Sequence, residues 1–178
     1  MRHVISVLMQ NEVGALTRLT CLFSTRGYNI ESLNVAPTED PAISRLTLVT
    51  RGSDAAIEQI TKQISKLIDV VDMHDMTLGD HFERELVLVK IVDSADAQPA
   101  LVEFCNDKGA RVLDSNPKAL TIEFAGSTAS VDDFVGALSK RGNIGAMVRS
   151  GSLGISRGER VLEGESIALA NVVVETGG

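Results

Sequence analysis

Hydrophobic and polar positions follow two periods along this chain. HVISVLMQ, residues 3–10, is mostly apolar and reads as a buried strand. Leu16, Leu19, Leu22 and Phe23 then recur at three- and four-residue spacing, which predicts a helix with one apolar face. Gly27 stands where such a helix closes on a left-handed residue. Asn29–Ala36 predicts a second strand, TEDPA a polar turn, and Ile43–Arg51 a third strand in which SRLTLVT alternates. Ile57, Ile60, Ile64 and Leu67 predict a second helix, and Val70–Met76 a fourth strand. The order β-α-β-β-α-β is the split βαβ, or ferredoxin-like, arrangement.

The pattern occurs twice. RHVISVLMQ at 2–10 aligns with RELVLVKIV at 84–92, and the same offset of 82 carries Leu19 to Leu101, Phe23 to Cys105 and Gly27 to Gly109. The second copy then lacks eight residues, after which an offset of 74 takes Leu48 to Ile122, Gly52 to Gly126, Ile57 to Val131, Ile60 to Phe134 and Ile64 to Leu138. Its elements are expected at Glu85–Val92, Ala97–Lys108, Arg111–Ser115, Ala119–Phe124, Val131–Lys140 and Ile144–Ser150. The fold class is therefore α+β, two ferredoxin-like βαββαβ domains in tandem: 1–76, a polar linker TLGDHFER at 77–84, and 85–158. Each domain has only about 75 residues, a marginal size for an independent core. Helices on one face of a four-stranded sheet leave the other face and the edges open. Pairing of the domains, with each other or with a second chain, is expected.

Composition removes several classes of function. The net charge of −7 is spread among interspersed acidic and basic residues, and aromatics make up 3%, so neither a basic stripe nor a stacking platform for nucleic acid is present. No apolar window approaches a membrane span, and the N-terminal run is too short for a secretory segment. Two cysteines are too few for a disulfide framework, and the simplest location is the cytoplasm.

Catalysis and metal binding find no support in the residues. His3 begins a strand, His74 ends one and His81 is in the linker, none with a spaced partner. Cys21 and Cys105 fall on amphipathic helices and read as buried, inert thiols. Glu39-Asp40 and Asp132-Asp133 sit at a turn and near a helix start, where carboxylates belong for structural reasons. SGSLGISRGER contains neither a Walker A loop nor a GxGxxG turn. No catalytic, metal or cofactor residue is assigned.

The turn NEVGAL is the candidate binding feature. Asn11 ends the first strand, and Gly14 to Leu16 open the helix, where backbone N–H groups and the helix dipole suit a carboxylate. Gly14 removes a Cβ from the approach, and the amide of Asn29 offers both donor and acceptor. Two readings stay open: Asn11 and Gly14 serve a ligand, or they are a helix cap and a turn residue. The second copy has Asp93, Asp96 and Arg111 at the corresponding positions, so a set confined to the first copy favours sensing there.

NEVGALTRLTCLFSTRGYNIESLNVAPTED followed by SRLTLVTRG resembles the ACT-domain signature of the regulatory (small) subunit of acetolactate synthase. RELVLVKI at 84–91 and RSGSLGISRGER at 149–160 are similar to that family's second-domain strand and C-terminal motif. The resemblance spans residues 1 to about 160, and it implies a homodimer with no catalysis of its own. It also implies a catalytic large subunit as partner, carrying thiamine diphosphate, Mg²⁺ and FAD, which the small subunit activates and makes sensitive to feedback inhibition. The implied effector is a branched-chain amino acid, with valine favoured, held between the ACT domains of two chains. Matched residue by residue, the effector site is Asn11, Gly14, Ala15, Leu16 and Asn29. A free-standing ACT-type sensor of another enzyme is the alternative. An enzyme with its active site between the domains is a further rival, for which no segment supplies an acid–base set. The segment beyond Arg160 has no counterpart in that signature, and 159–178 reads as a poorly ordered tail.

Overall fold

In the computed structural model the described residues are 1–92, 98–159, 161 and 162. They form two compact units, Met1–Phe82 together with the described residues from Ser152 onward, and Glu83–Gly151. The first unit contains β1 (Arg2–Gln10), α1 (Ala15–Thr25), β2 (Ile30–Pro37), β3 (Ile43–Arg51), α2 (Asp54–Ile64) and β4 (Val70–Asp75). Its antiparallel sheet runs β2-β3-β1-β4. Ile5, Val7 and Met9 of β1 with Leu46 and Leu48 of β3 face Ala15, Leu19 and Phe23 of α1 and Ile57, Ile60 and Ile64 of α2. Each such side chain contributes about 1.5–3 kcal/mol when fully buried. The second unit contains β5 (His81–Ile91, whose first two residues belong to the first unit), α3 (Gln98–Asp107), β6 (Arg111–Asn116), β7 (Ala119–Gly126), α4 (Thr128–Leu138) and β8 (Ile144–Arg149). Its strand order is β6-β7-β5-β8, the counterpart of the first.

The duplication extends to geometry. Val87, Val89, Ile91, Leu101, Cys105, Leu120, Ile122, Val131, Phe134 and Leu138 form the second core at the two offsets seen in the sequence. Ser53 and Ser127 both cap their helices, accepting from the N–H of Ala56 and Ser130. Gly27 and Gly109 close α1 and α3 at φ 72° and 71°, a region costly for other L-residues. Even the irregularities recur: β1 shifts register against β4 between Leu8 and Met9, and β5 against β8 between Lys90 and Ile91. The second core differs in its stacked rings, with Phe134 against both Phe104 and Phe124.

The expected boundaries 1–76, 77–84, 85–158 and 159–178 divide the chain differently from its packing. Half of the expected linker, His81–Arg84, is already strand β5. Residues 152–157 group with the first unit by packing. There β9 (Leu153–Ser156) lies against the sheet face away from the helices, where Val4, Val49 and Met76 form a small buried cluster. The Ser152 N–H donates to Ser32 Oγ (3.0 Å) and the Gly154 N–H to Thr47 Oγ1 (3.2 Å). Arg157 sets its guanidinium 4.3 Å from the Phe82 ring centroid. The outer face of the first sheet, expected to be open, is thus closed by its own chain, while Leu86 and Val148 of the second sheet stay exposed. Apart from Glu159, Val161 and Leu162, the expected tail lies outside the described residues.

Two side chains, Leu16 and Cys21, depart from their periodic reading. Leu16, assigned to the apolar stripe, is exposed, because Ala15, Leu19 and Phe23 already fill that side of α1. Cys21 is exposed, whereas Cys105 is buried and its thiol is pushed up by burial. His3 is buried, with Nε2 3.4 Å from Asp54 Oδ1 and Nδ1 3.6 Å from Asp75 Oδ2.

Candidate effector site

The site is built where β1 ends and α1 begins. Asn11 leaves β1 with its N–H donating to Ala42 O (2.7 Å) and its Nδ2 to Pro41 O (2.9 Å). It therefore fastens the 38–42 turn beside the helix and does not cap α1. The cap position is Gly14, at φ 88° and ψ −13°, with no side-chain cap bond. A left-handed residue here is what lets the chain reverse from strand into helix, and it explains a glycine at this position.

The two backbone donors expected to take a carboxylate are not equivalent. The Ala15 N–H donates to Glu12 O at 3.2 Å, closing the turn, and Ala15 itself is buried in the core. The Leu16 N–H belongs to the first helical turn, which has no intrahelical acceptor. Leu16 is 38% exposed, borders the turn and contributes little to the core.

Asn29 lies elsewhere in the chain. It immediately precedes β2, is exposed, and accepts through its carbonyl from Thr50 Oγ1 at 2.7 Å. Strand registers place Ile30 beside Thr50 and Arg2 beside Arg51, at one end of the sheet, and Gln10 beside Ile43 at the other. Asn11 and Asn29 of one chain therefore stand at opposite ends of the sheet, roughly 23 Å of strand apart. Asn11, Gly14, Ala15 and Leu16 are brought together, and Asn29 is not brought to them within the chain.

Sequence reasoning missed two charged residues beside this turn. Arg18 donates from Nε and Nη2 to the two carboxylate oxygens of Asp69, each at 2.6 Å. Its Nη1 stands 3.0 Å from where a Cβ on residue 14 would be. The Asp69 side chain is 3% exposed, and hydrogen bonding to Arg18 holds its carboxyl below the usual range although burial opposes this. The same pair raises the Arg18 pKa. Nothing in the local periodicity marks either residue.

Among the described residues, surface hollows of about 280, 310 and 550 Å³ are lined by residues other than those of the candidate site. Among the described residues no group of three or more His, Cys, Asp or Glu is arranged to hold a metal ion. No helix among them is long and apolar enough to cross a membrane.

Two tandem ferredoxin-like units, the first with a glycine-opened turn at the head of α1, place this chain in the ACT-domain class. Residues 5–72 match the AHAS small subunit-like ACT domain, and residues 84–158 match the family described as small subunit of acetolactate synthase. The acetolactate synthase isozyme 3 small subunit of Escherichia coli is 41% identical, with 91% of this chain and 99% of that protein covered. The acetolactate synthase small subunit of Haemophilus influenzae is also 41% identical, over 90% of this chain and 98% of that protein. The crystal structure of the acetolactate synthase small subunit from Thermotoga maritima superposes with a TM-score of 0.81 at 29% identity, covering 90% of this chain and 99% of that one. This chain belongs to the acetolactate synthase small-subunit family.

Proposed function

We propose that this chain is the non-catalytic regulatory subunit of acetolactate synthase, raising the activity of a catalytic large subunit and conferring feedback inhibition by a branched-chain amino acid, with valine favoured. The observation that carries the effector reading is the separation of Asn11 from Asn29 along one sheet. β2 is an edge strand of that sheet. If two copies pair antiparallel along β2, the second copy's Asn29 moves to the end where Asn11 lies. A site made from two chains then forms only in the docked dimer, and an effector shifts the dimer by its differential affinity for that geometry.

In this reading the Leu16 N–H and the head of α1 receive the carboxylate, and Asn11 with the second copy's Asn29 orients the ammonium group. The Ala15 N–H joins only by giving up its long bond to Glu12. Leu16 contacts the aliphatic side chain, whose burial contributes at most about 3 kcal/mol. Thiamine diphosphate, Mg²⁺ and FAD belong to the large subunit, this chain holds no cofactor, and the complex works in the cytoplasm.

Titration calorimetry of the purified chain with valine, leucine and isoleucine tests the effector site, and saturable heat from at least one is expected. Silence from all three would sink the site. Reconstitution with the cognate thiamine-diphosphate enzyme tests the partner: a rise in acetolactate formation is expected, and no change would favour a free-standing sensor of another enzyme.

A further inference from the structure

The Arg18–Asp69 pair is not required by the fold. At the offsets that align the two cores, Arg18 corresponds to Ala100 and Asp69 to Asn143. That correspondence is structural as well: Gln10 N–H donates to Asp69 O, and Val92 N–H donates to Asn143 O, both at 2.8 Å. The second unit therefore builds the same strand order, caps and bulges with no charge at either position. An ion pair with one buried partner is a weak device for stability, since desolvation of the Asp69 carboxylate offsets much of its attraction to the half-exposed Arg18, and neutral residues serve the second unit.

What the pair does in the first unit is local. Asp69 is fixed between β1 and β4 by its carbonyl, and its carboxylate grips Arg18 with two parallel bonds. The Arg18 N–H donates to Gly14 O at 2.9 Å, while Nη1 fills the space beside Gly14. Beside the ordinary helical bond from residue 18 to Gly14, the Arg18 side chain thus packs on the left-handed turn that opens α1, and that side chain is locked by a buried carboxylate.

We propose that Arg18 and Asp69 are positioning residues for the effector site, holding the Gly14 turn in the conformation that receives the ligand. The proposal rests on the effector reading above. It predicts that fold and effector affinity separate. Arg18→Ala with Asp69→Asn installs the pair that the second unit carries, so this variant is expected to fold with a melting temperature within a few degrees of the wild type. Its affinity for valine in calorimetry is expected to fall roughly tenfold or more, since a site loosened by its support loses its ligand before its fold. Arg18→Lys keeps the charge but not the two-bond fork, and recovers only part of that loss.

Unchanged valine affinity in the double variant would overturn the inference while leaving the effector site intact. Loss of the folded state would overturn it too, by making the pair a structural clamp. Failure of the wild-type chain itself to bind valine, leucine or isoleucine is a separate result, and it removes the effector reading on which the proposal stands.

Discussion

Glu85 accepts two hydrogen bonds from Arg149, at 2.7 and 2.8 Å, at the sheet position where the first unit sets His3 beside Asp75. The offsets that align the cores carry His3 to Glu85 and Asp75 to Arg149, so the acidic and basic partners have exchanged strands. The Glu85 side chain is 4% exposed, and Arg149 also reaches Asp132 at 2.8 Å. The Arg149 pKa is raised, chiefly by its hydrogen bond to Glu85. Arg149→Met is expected to cost the second unit about 3 kcal/mol in urea unfolding, because it strands a buried carboxylate. Adding Glu85→Leu to Arg149→Met should recover most of that loss. A second substitution that deepens the loss would refute the account.

Asn11 and Asn29 predict a complementation result. Asn11→Ala and Asn29→Ala are each expected to abolish valine inhibition while sparing activation of the large subunit. Mixing the two variants with subunit exchange should restore binding, because a mixed dimer then contains one intact site out of two. A site contained within one chain would show no recovery on mixing. Loss of inhibition and activation together in either single variant would count against separate roles.

The cover on the first sheet predicts a stability effect far from the effector turn. Thr47→Val removes the acceptor of the buried Gly154 N–H and is expected to cost about 1–3 kcal/mol. Gly154→Ala places a methyl group against Met76 Cε, the flexible end of a side chain that can swing aside, and is expected to cost about 1 kcal/mol. The two changes share a contact and should not add. Chemical denaturation of the single and double variants measures both effects.

The duplicated caps offer a matched pair. Ser53→Ala and Ser127→Ala each remove one side-chain acceptor at a helix start, and each is expected to destabilise its own unit by about 1 kcal/mol. A large difference between the two would mean that the geometric repeat is not an energetic one.

Asp69 gives the acid side of the stability profile a definite sign. Its folded pKa is held below the ordinary value of 3.8, so its contribution is full above that value. It is lost as pH falls from there through the folded pKa, where the native carboxylate must also protonate. Asp69→Asn should therefore flatten acid unfolding below about pH 4 relative to the wild type, as followed by circular dichroism. An unchanged slope would mean that Arg18 does not stabilise the charged form.

Most of the fold was legible because burial has a local period. The apolar stripes of α2 and α4, the strands β1 and β5, and the closing glycines Gly27 and Gly109 could be placed from their own neighbourhoods. Leu16 and Cys21 show the limit of that method. A stripe at helical spacing is wider than the face a helix buries, so the sheet decides which of its residues are covered. The turn at Gly14 was also legible, since a glycine between a strand and a helix has few other uses.

The sequence alone determined two copies of one βαββαβ pattern, their closing glycines and the turn at Gly14, all of which depend on residues a few positions apart. Tertiary structure alone decided that Arg18 meets Asp69 across 51 residues and that Gly154 meets Thr47 across 107. It also decided that Asn11 and Asn29 stand at opposite ends of one sheet. Strand register and the cover over an open sheet face arise from packing between distant segments, and no local period in the sequence encodes them.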